Sequence, residues 1–497
     1  MSMRLEVGSI YRSEVEARVV ADVDVLVAGG GTAGCVAALA AARNGDRVFL
    51  VERYGYLGGM LTGNAGLTIF IGYPGGRVRK NKLWFVGNAV EMFASAVKKL
   101  QENPSEVRIV GGIPLEITNR LMAAGAGIGI GGQAGTYVTT NLEAFKALLF
   151  EMMEEAGVKL LLHSWVVDVI MEKDIIKGVV VENKSGRQVL LGKMIIDATG
   201  DADVAAKSGA PFEVGVTPGS MAAKGGMPIG FTEPLGIMYT YGNVDVERVF
   251  QFARKNNDWE PTWPSFQGLE DAYQSFRKGQ LADIFLPKAS AADEIDVEFL
   301  TLPVPGFVLT GCGFATQTSG LSAAELTRIE AESKKALMKK LAYLKKNIPG
   351  FEKATLANVP QMSVRETRRI LGEYVLTIED LLEAREFKDG IGRGGHPVDV
   401  DVSESIREQG WHRPPNWSFS IPYRSLVPQK IKNLLVAGRC ISTTHEALGC
   451  IRPTAQCMVM GEAAGTAAAL CEKNKVRPRD LNIDELRGRL KEQGVIL

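Results

Sequence analysis

The stretch from Thr444 to Gln456, reading THEALGCIRPTAQ, carries one of only four histidines in a chain of 497 residues, with an arginine seven positions after it. A free imidazole titrates at about pH 6.5, so His445 suits proton transfer near neutrality. The planar fork of Arg452 suits a carboxylate or a similar pair of oxygens. A plainer reading competes, with His445 as a satisfied loop histidine and Arg452 as the partner of Glu446. Two more cations, Arg365 and Arg369, stand four apart in Met362–Arg369, a spacing that predicts one helical face able to meet an anion. The same pair equally suits an ion-pair network with Glu366 and Glu373. His396, in the turn-rich segment 391–401, is a second histidine for a pocket, and His412 is a weaker one. The aromatic, proline-rich run 258–264 reads either as a substrate wall or as packing.

Elements must hold these groups, and composition limits what they can be. The chain is too long for a single hydrophobic core and is expected to form two or three domains. Its 46% hydrophobic and 23% charged residues fit a globular protein. Basic and acidic residues number 57 each, so nothing in the charge balance points to nucleic acid. The lysines at 97–100 and 334–346 read as solvated helix faces. Six cysteines, at 35, 312, 440, 450, 457 and 471, share no CxxC spacing and fit no zinc or iron–sulfur ligand set, so no metal is expected and the thiols are expected to be reduced. No run of 18 apolar residues occurs, and the first twenty residues are charged throughout rather than patterned as a signal. A cytoplasmic protein with no membrane partner is expected.

Residues 23–52 give the frame. Val23–Val27 is a short apolar run of buried-strand type, followed at once by Gly29-Gly30-Gly31-Thr32-Ala33-Gly34. An alanine-rich helix runs from Cys35 to Arg43, Gly45 ends it, and a second strand, Arg47–Val51, closes on Glu52. Strand, G-x-G-x-x-G, helix, strand and acid form one βαβ unit that binds a dinucleotide. Gly29 permits the tight turn, Gly31 lets the backbone approach a pyrophosphate, and Gly34 lets helix and strand sit close. The helix amides and dipole face the phosphates. Glu52 would accept hydrogen bonds from ribose hydroxyls, and an acid there disfavours NADP.

The chain after Glu52, Arg53 to Gly66, is a glycine-rich loop rather than another βαβ unit, which suits close backbone approach to a flat ring and its ribityl chain. A strand at Met194–Ile196 ends in the turn Asp197-Ala198-Thr199-Gly200-Asp201, and another, Asn433–Val436, ends at Gly438-Arg439. Helical periodicity over Asn141–Gly157, a strand over His163–Val169 and a hairpin turning at Ser185-Gly186 lie upstream. The set GGGTAG, Glu52–Gly59, DATGDAD and NLLVAGR…HEALGCIR resembles the FAD-dependent oxidoreductases of the glutathione-reductase-like flavoprotein superfamily, from about residue 20 to 472. The resemblance implies FAD as cofactor. It implies contacts from Gly29, Gly31, Thr32, Ala33, Gly34, Glu52, Arg53, Gly58, Gly59, Met60, Val166, Ala198, Thr199, Gly200, Asp201, Gly438, Arg439, Pro453 and Thr454. Many members of the superfamily carry Asp where this chain has Arg439, so the ribityl contact passes to another group.

By the same resemblance the helix after Pro453 points at the flavin pyrimidine edge, which would set His445 and Arg452 in a loop over the isoalloxazine ring as the catalytic pair. Pro453 suits a first helical position. Gly461 and Gly465 leave that helix one nearly bare stripe, for tight packing against a neighbour or the cofactor. The expected fold is α/β: a Rossmann-type FAD-binding domain from discontinuous segments, 1–215 and 426–497, with an α+β substrate or cap domain inserted at 216–425. Glycine-rich 125–132 reads as a loop. Arg365, Arg369 and His396 are placed on the substrate side. The expected reaction moves a hydride between flavin N5 and a small polar substrate, hydroxylated or carboxylated, with His445 as acid and base. An ene-reductase of fumarate-reductase type, a flavin-dependent tRNA-modifying protein and an electron-relaying flavin subunit are the alternatives. The electron acceptor or donor is open, and homo-oligomer formation is compatible with the sequence.

Overall fold

The structure, a computed structural model, describes residues 14–65, 67–69, 78–79, 82–83, 108–129, 132, 137–260, 266, 268–292, 295–313, 318–396, 398–400 and 417–497. The runs at 97–100 and 261–264 and His412 lie outside the described residues.

The first strand, β1 (Arg18–Ala28), starts exposed and ends buried, with Val25 to Ala28 excluded from solvent. Helix α1 (Thr32–Arg43) follows, its alanines packing without bulk, and β2 (Val48–Val51) lies parallel to β1 with Val25 opposite Val48. Asn141 caps α2 (Leu142–Glu155) by accepting from the amides of Glu143 and Ala144. β3 (Lys159–Leu161) then pairs parallel with β2. β4 (Trp165–Glu172), β5 (Ile175–Asn183) and β6 (Gly186–Asp197) form an antiparallel meander. The long β6 is central: it lies parallel to β1 over its length and parallel to β7 (Leu434–Val436) at its end. The sheet order is β3-β2-β1-β6-β5-β4 with β7 beside β6. The three strand ends bearing Gly29, Ala198 and Gly438 are thereby brought to one edge.

Helix α3 (Thr454–Asn474) is buried along most of its length against α1. Its glycine stripe has a simple cause: a Cβ at Gly461 would overlap the carbonyl oxygen of Ala33, and one at Gly465 that of Ala37. The stripe therefore meets a neighbouring helix.

A second sheet, all antiparallel, runs Asp283–Phe285, Glu298–Thr301, Val308–Gly313, Gly236–Gly242, Thr355–Asn358. Helices Val246–Asn256 and Ala323–Asn347 supply Phe250, Ile329, Leu337 and Leu344 to its core, which draws on residues from Leu235 to Met362. Within 216–425, residues such as Ile370, Ile391, Trp417 and Phe419 instead join the core of the nucleotide-side sheet.

Four local expectations are not met. Gly127–Gly129 is a short strand paired with Tyr137–Thr140, because register with Thr140 and Val138 supplies the backbone partners that glycine itself cannot dictate. Met362–Arg369 is not helical: Arg368–Ile370 pairs with Phe212–Val214, so Arg365 and Arg369 share no helical face. His445 is not in a loop but opens the helix His445–Ile451, capped by the Thr444 hydroxyl on the amide of Ala447. Pro453 sits one residue earlier than expected, as the cap before Thr454.

Candidate active site

The turn after β1 is built for close approach. Gly29 has φ +98°, donates its N–H to the Val51 carbonyl at 2.8 Å, and would bring a Cβ to 2.5 Å from the carbonyl oxygen of Ala198. Only glycine fits there. A Cβ at Gly31 would meet nothing within 4 Å, so the backbone at this point faces open space. No side chain caps α1 at Gly31, which leaves its first-turn amides available to an anion. Gly34 fits against the Gly29 carbonyl, which a Cβ would overlap. Gly58 donates to the Gly30 carbonyl at 2.8 Å, Thr32 donates to that of Gly58 at 3.2 Å, and Gly59 lies against the Cα of Gly31. Met60, next along, is half-buried.

Glu52 is buried at the end of β2 and accepts from the amides of Gly30 (2.7 Å) and Tyr54 (2.8 Å). Burial raises its carboxyl pKa, and those two amides oppose the rise. A carboxylate accepts about four hydrogen bonds, so capacity for hydroxyl groups remains. Glu52 lines a cleft of ≈ 370 Å³, counted to its open mouth, with Gly29, Arg53, Val166, Thr199 and Asp203. The Arg53 guanidinium at this cleft stacks over the rings of Tyr54 and Trp165 at 4.8 and 5.1 Å. Ser164, Trp165 and Asp203 were not singled out from the sequence; the strand after α2 is the signal that could have found the first two.

At the end of β6 the buried Asp197 accepts from the Thr199 hydroxyl (2.7 Å) and the Ala205 amide (2.9 Å), fixing the turn at Gly200, φ +80°. Gly438, φ +97°, would press a Cβ to 3.1 Å from that of Ala33. The side chain of Arg439 turns to Asp201 at 2.6 Å and to the Thr367 hydroxyl at 2.9 Å, while Arg368 bonds the Asp201 carbonyl and Asp203 at 3.0 Å. Burial would raise the Asp201 carboxyl, but Arg439 holds it below the ordinary carboxylate range.

His445 is fully enclosed. Its Nδ1 lies 2.9 Å from Glu366 Oε2, and its Nε2 lies 3.7 Å from Glu233 Oε1, beyond hydrogen-bond reach. Glu366 also accepts from the amide of Glu233 (3.0 Å) and from the guanidinium of Arg369. Arg369, itself buried, donates onward to the carbonyls of Thr443 (3.0 Å) and Gly215 (2.8 Å). The ion pair with Glu366 is therefore real, whereas Glu373 pairs with Arg479 at 3.0 Å. Burial pushes the imidazole pKa down, but Glu366 and Glu233 outweigh it and the net shift is upward. Burial likewise raises Glu366, and His445 and then Arg369 bring it below its usual value.

Arg452, at the other end of the short helix, is roughly 10 Å away along its axis and bonds Asp399, not Glu446, at 2.5 Å to the carboxylate and 2.7 Å to the carbonyl. Glu446 instead accepts from the amide of Ala222 at 2.6 Å. Burial would raise Asp399, but Arg452, which bonds it, and then Arg365 and His396 bring it below its usual value. Arg365 also lies against Gly236, where a Cβ would be 2.9 Å from its Nη2. Asp399, Glu233 and Glu366 were missed from the sequence as site residues.

Between Ser442 and Gln456 six buried side-chain polar atoms have no partner among the described residues: Ser442 Oγ, Thr443 Oγ1, His445 Nε2, Glu446 Oε2, Arg452 Nε and Gln456 Oε1. Buried polar groups are normally satisfied, so so dense a run fits a stretch that meets a polar ligand. With the open glycine turn and the cleft at Glu52, these residues fit a long dinucleotide. The sequence matches the FAD dependent oxidoreductase family over residues 24–490. The chain belongs to that family. Its cofactor is FAD. None of the curated proteins compared with this flavoprotein matches it. Among solved structures it is similar to a geranylgeranyl bacteriochlorophyll reductase-like protein from Thermoplasma acidophilum (13% identity, 96% of this chain and 84% of that one, TM-score 0.39). It is also similar to the myxobacterial halogenase CndH (13%, 95% and 79%, 0.40) and to p-nitrophenol 4-monooxygenase PnpA from Pseudomonas putida DLL-E4 (12%, 95% and 81%, 0.35). Among the described residues no helix is long and apolar enough to cross a membrane.

Proposed function

We propose that this FAD-dependent oxidoreductase moves a hydride between flavin N5 and a carbon of a small polar substrate, hydroxylated or carboxylated. The cradle from Gly29 to Gly34 binds the pyrophosphate through backbone amides, Glu52 takes the ribose hydroxyls, and Asp201 with Arg439 faces the chain between phosphate and ring. Arg452 spends one nitrogen on Asp399 and keeps other donors, its Nε among them, for a substrate oxygen. Arg365 adds positive charge on the same side, where His396 also stands. His445 holds the proton that accompanies the hydride, at the one ring nitrogen that makes no hydrogen bond to the described residues.

The observation that carries this reading is the cluster of unpartnered polar atoms around His445 and Arg452, next to a strand end that reaches the glycine turn. The test is anaerobic titration of the yellow protein with hydroxy acids, sugars, amines and enoates. Bleaching of the flavin bands by a hydroxylated or carboxylated compound supports the reading; no bleaching by any polar substrate class, and no reoxidation by any enoate, refutes it.

A further inference from the structure

A strap of five consecutive residues, Arg365 to Arg369, reaches partners on several separate segments. Arg365 lies against Gly236, Glu366 faces His445, Thr367 bonds Asp201 and Arg439, Arg368 bonds Asp203, and Arg369 ties Glu366 to the carbonyls of Gly215 and Thr443. Glu366 is the member placed to control chemistry. One of its oxygens takes the Arg369 guanidinium, the other takes the Glu233 amide and His445 Nδ1. With both oxygens committed, the carboxylate cannot swing away from the imidazole. Since a carboxylate only accepts, the neutral ring must carry its proton on Nδ1, which leaves Nε2 as the atom able to take or give a proton.

We propose that Glu366 is the positioning residue of His445: it fixes the ring and its Nδ1–H tautomer and makes Nε2 the working nitrogen. This rests on the proton-holding role proposed above. The charged groups facing His445 are Glu366 and Arg369 on the strap, and Glu233 before the strand Gly236–Gly242. Glu446, the next residue, turns its carboxylate to the amide of Ala222. Glu233 adds to the positive state of the ring, but its oxygen stands too far off to choose the tautomer. Arg369 opposes that state and acts chiefly by holding Glu366.

The geometry is read directly by nitrogen-15 spectra of the histidine rings in the FAD-loaded protein, since the chain has only four histidines and His445→Gln identifies the signal. In the wild type, the ring above its titration midpoint is expected to show a protonated Nδ1 and a bare Nε2. Glu366→Gln removes the charge but keeps an acceptor, and should lower the His445 midpoint by at least about one pH unit; Glu366→Asp should restore most of it. The pH profile of flavin reduction by substrate should move down with that midpoint. A proton on Nε2 in the wild type, or a midpoint unmoved in a folded, yellow Glu366→Gln, overturns the proposal. Where Glu366→Gln does not fold, the wild-type tautomer and the Glu366→Asp midpoint decide. If the spectra come out as expected but His445→Gln is reduced at the wild-type rate, the proton-holding reading falls while the positioning of the ring by Glu366 stands.

Discussion

Two glycines in helix interiors, Gly461 and Gly488, are expected to respond in opposite directions to the same substitution. In an isolated helix, replacing glycine by alanine gains about 1 kcal/mol. Gly488 lies on the exposed side of Ile483–Glu492, and a Cβ there meets nothing within 4 Å. Gly488→Ala should therefore stabilise by about 0.5–1 kcal/mol. A Cβ at Gly461 overlaps the carbonyl oxygen of Ala33 and comes to 3.0 Å from its carbonyl carbon. These are backbone atoms in the first turn of α1, which no rotamer change can move, so the two helices must separate. Overpacking of this kind costs about 1–3 kcal/mol, and backbone against backbone belongs at the upper end. Set against the propensity gain, Gly461→Ala should lose about 2 kcal/mol. Ala33 is part of the phosphate turn, so FAD should also bind about tenfold more weakly, equivalent to about 1.4 kcal/mol. Urea unfolding midpoints of the FAD-free proteins, with FAD affinity from flavin fluorescence, read both effects. A Gly461→Ala protein as stable as Gly488→Ala, with wild-type FAD affinity, would refute the helix packing described.

Other outcomes follow from the same structure. His445→Gln should keep the flavin spectrum while slowing reduction by substrate by about 10²–10⁴-fold; unchanged stopped-flow rates would remove the acid–base role. Glu462 is buried on α3 with its carboxyl pushed up to about 8 by burial, against the opposing Ile113 amide. Its folded form binds a proton the unfolded chain has lost, so stability should fall as pH rises from about 4.3 to about 8. Glu462→Gln keeps an acceptor for Ile113 and should flatten that fall, as thermal melts across pH would show. Arg439→Leu removes the cation bonded to Asp201 in a mostly buried place, leaving the carboxylate with the Thr367 hydroxyl, and should cost on the order of 2 kcal/mol. Asp201→Asn in the same chain should recover part of it, and strictly additive losses would mean that the pair does not interact. The His445–Glu366 pair works in a window: Glu366, with its pKa lowered, contributes above its unfolded value of about 4.3, and His445, with its pKa raised, contributes fully below its unfolded value of about 6.5. Stability from the pair should fade as pH drops through the folded Glu366 value and as it rises through that of His445; Glu366→Gln should abolish the acid limb and weaken the alkaline one, since Glu233 still favours the charged ring.

The nucleotide cradle was legible because its parts are close in sequence. Strand, glycine turn, helix, strand and Glu52 occupy 30 residues, and hydrophobic period, glycine spacing and the acid all agree. The ends of β6 and β7 were legible for the same local reason, as apolar runs stopped by glycine. The glycine stripe on α3 was seen as close packing, but which neighbour it met depends on α1, more than 400 residues earlier, and no local signal names it.

The strap from Arg365 to Arg369 shows why the rest was not. Read alone, two arginines four apart suggest a helix that offers both to one ligand. Such a helix would send Arg365 and Arg369 the same way, and the molecule needs them apart, one against Gly236 and one behind Glu366. In a regular strand, as in a helix, residues four apart share a face; the two arginines diverge because residues 364–367 follow no regular structure and only Arg368–Ile370 is held by pairing with Phe212–Val214. What selects that conformation is a set of partners remote in sequence: His445 is 79 residues from Glu366, and Asp201 lies 166 from Thr367. Burying His445, Glu366 and Arg369 together is costly unless every charge is met, so the network forms only when the strands bearing Asp201 and Gly438, the strap and the helix at His445 are all in place. The residues that tie the nucleotide end of the molecule to its candidate catalytic end are thus fixed by the completed fold, and sequence patterns, which report local preference, see only their types.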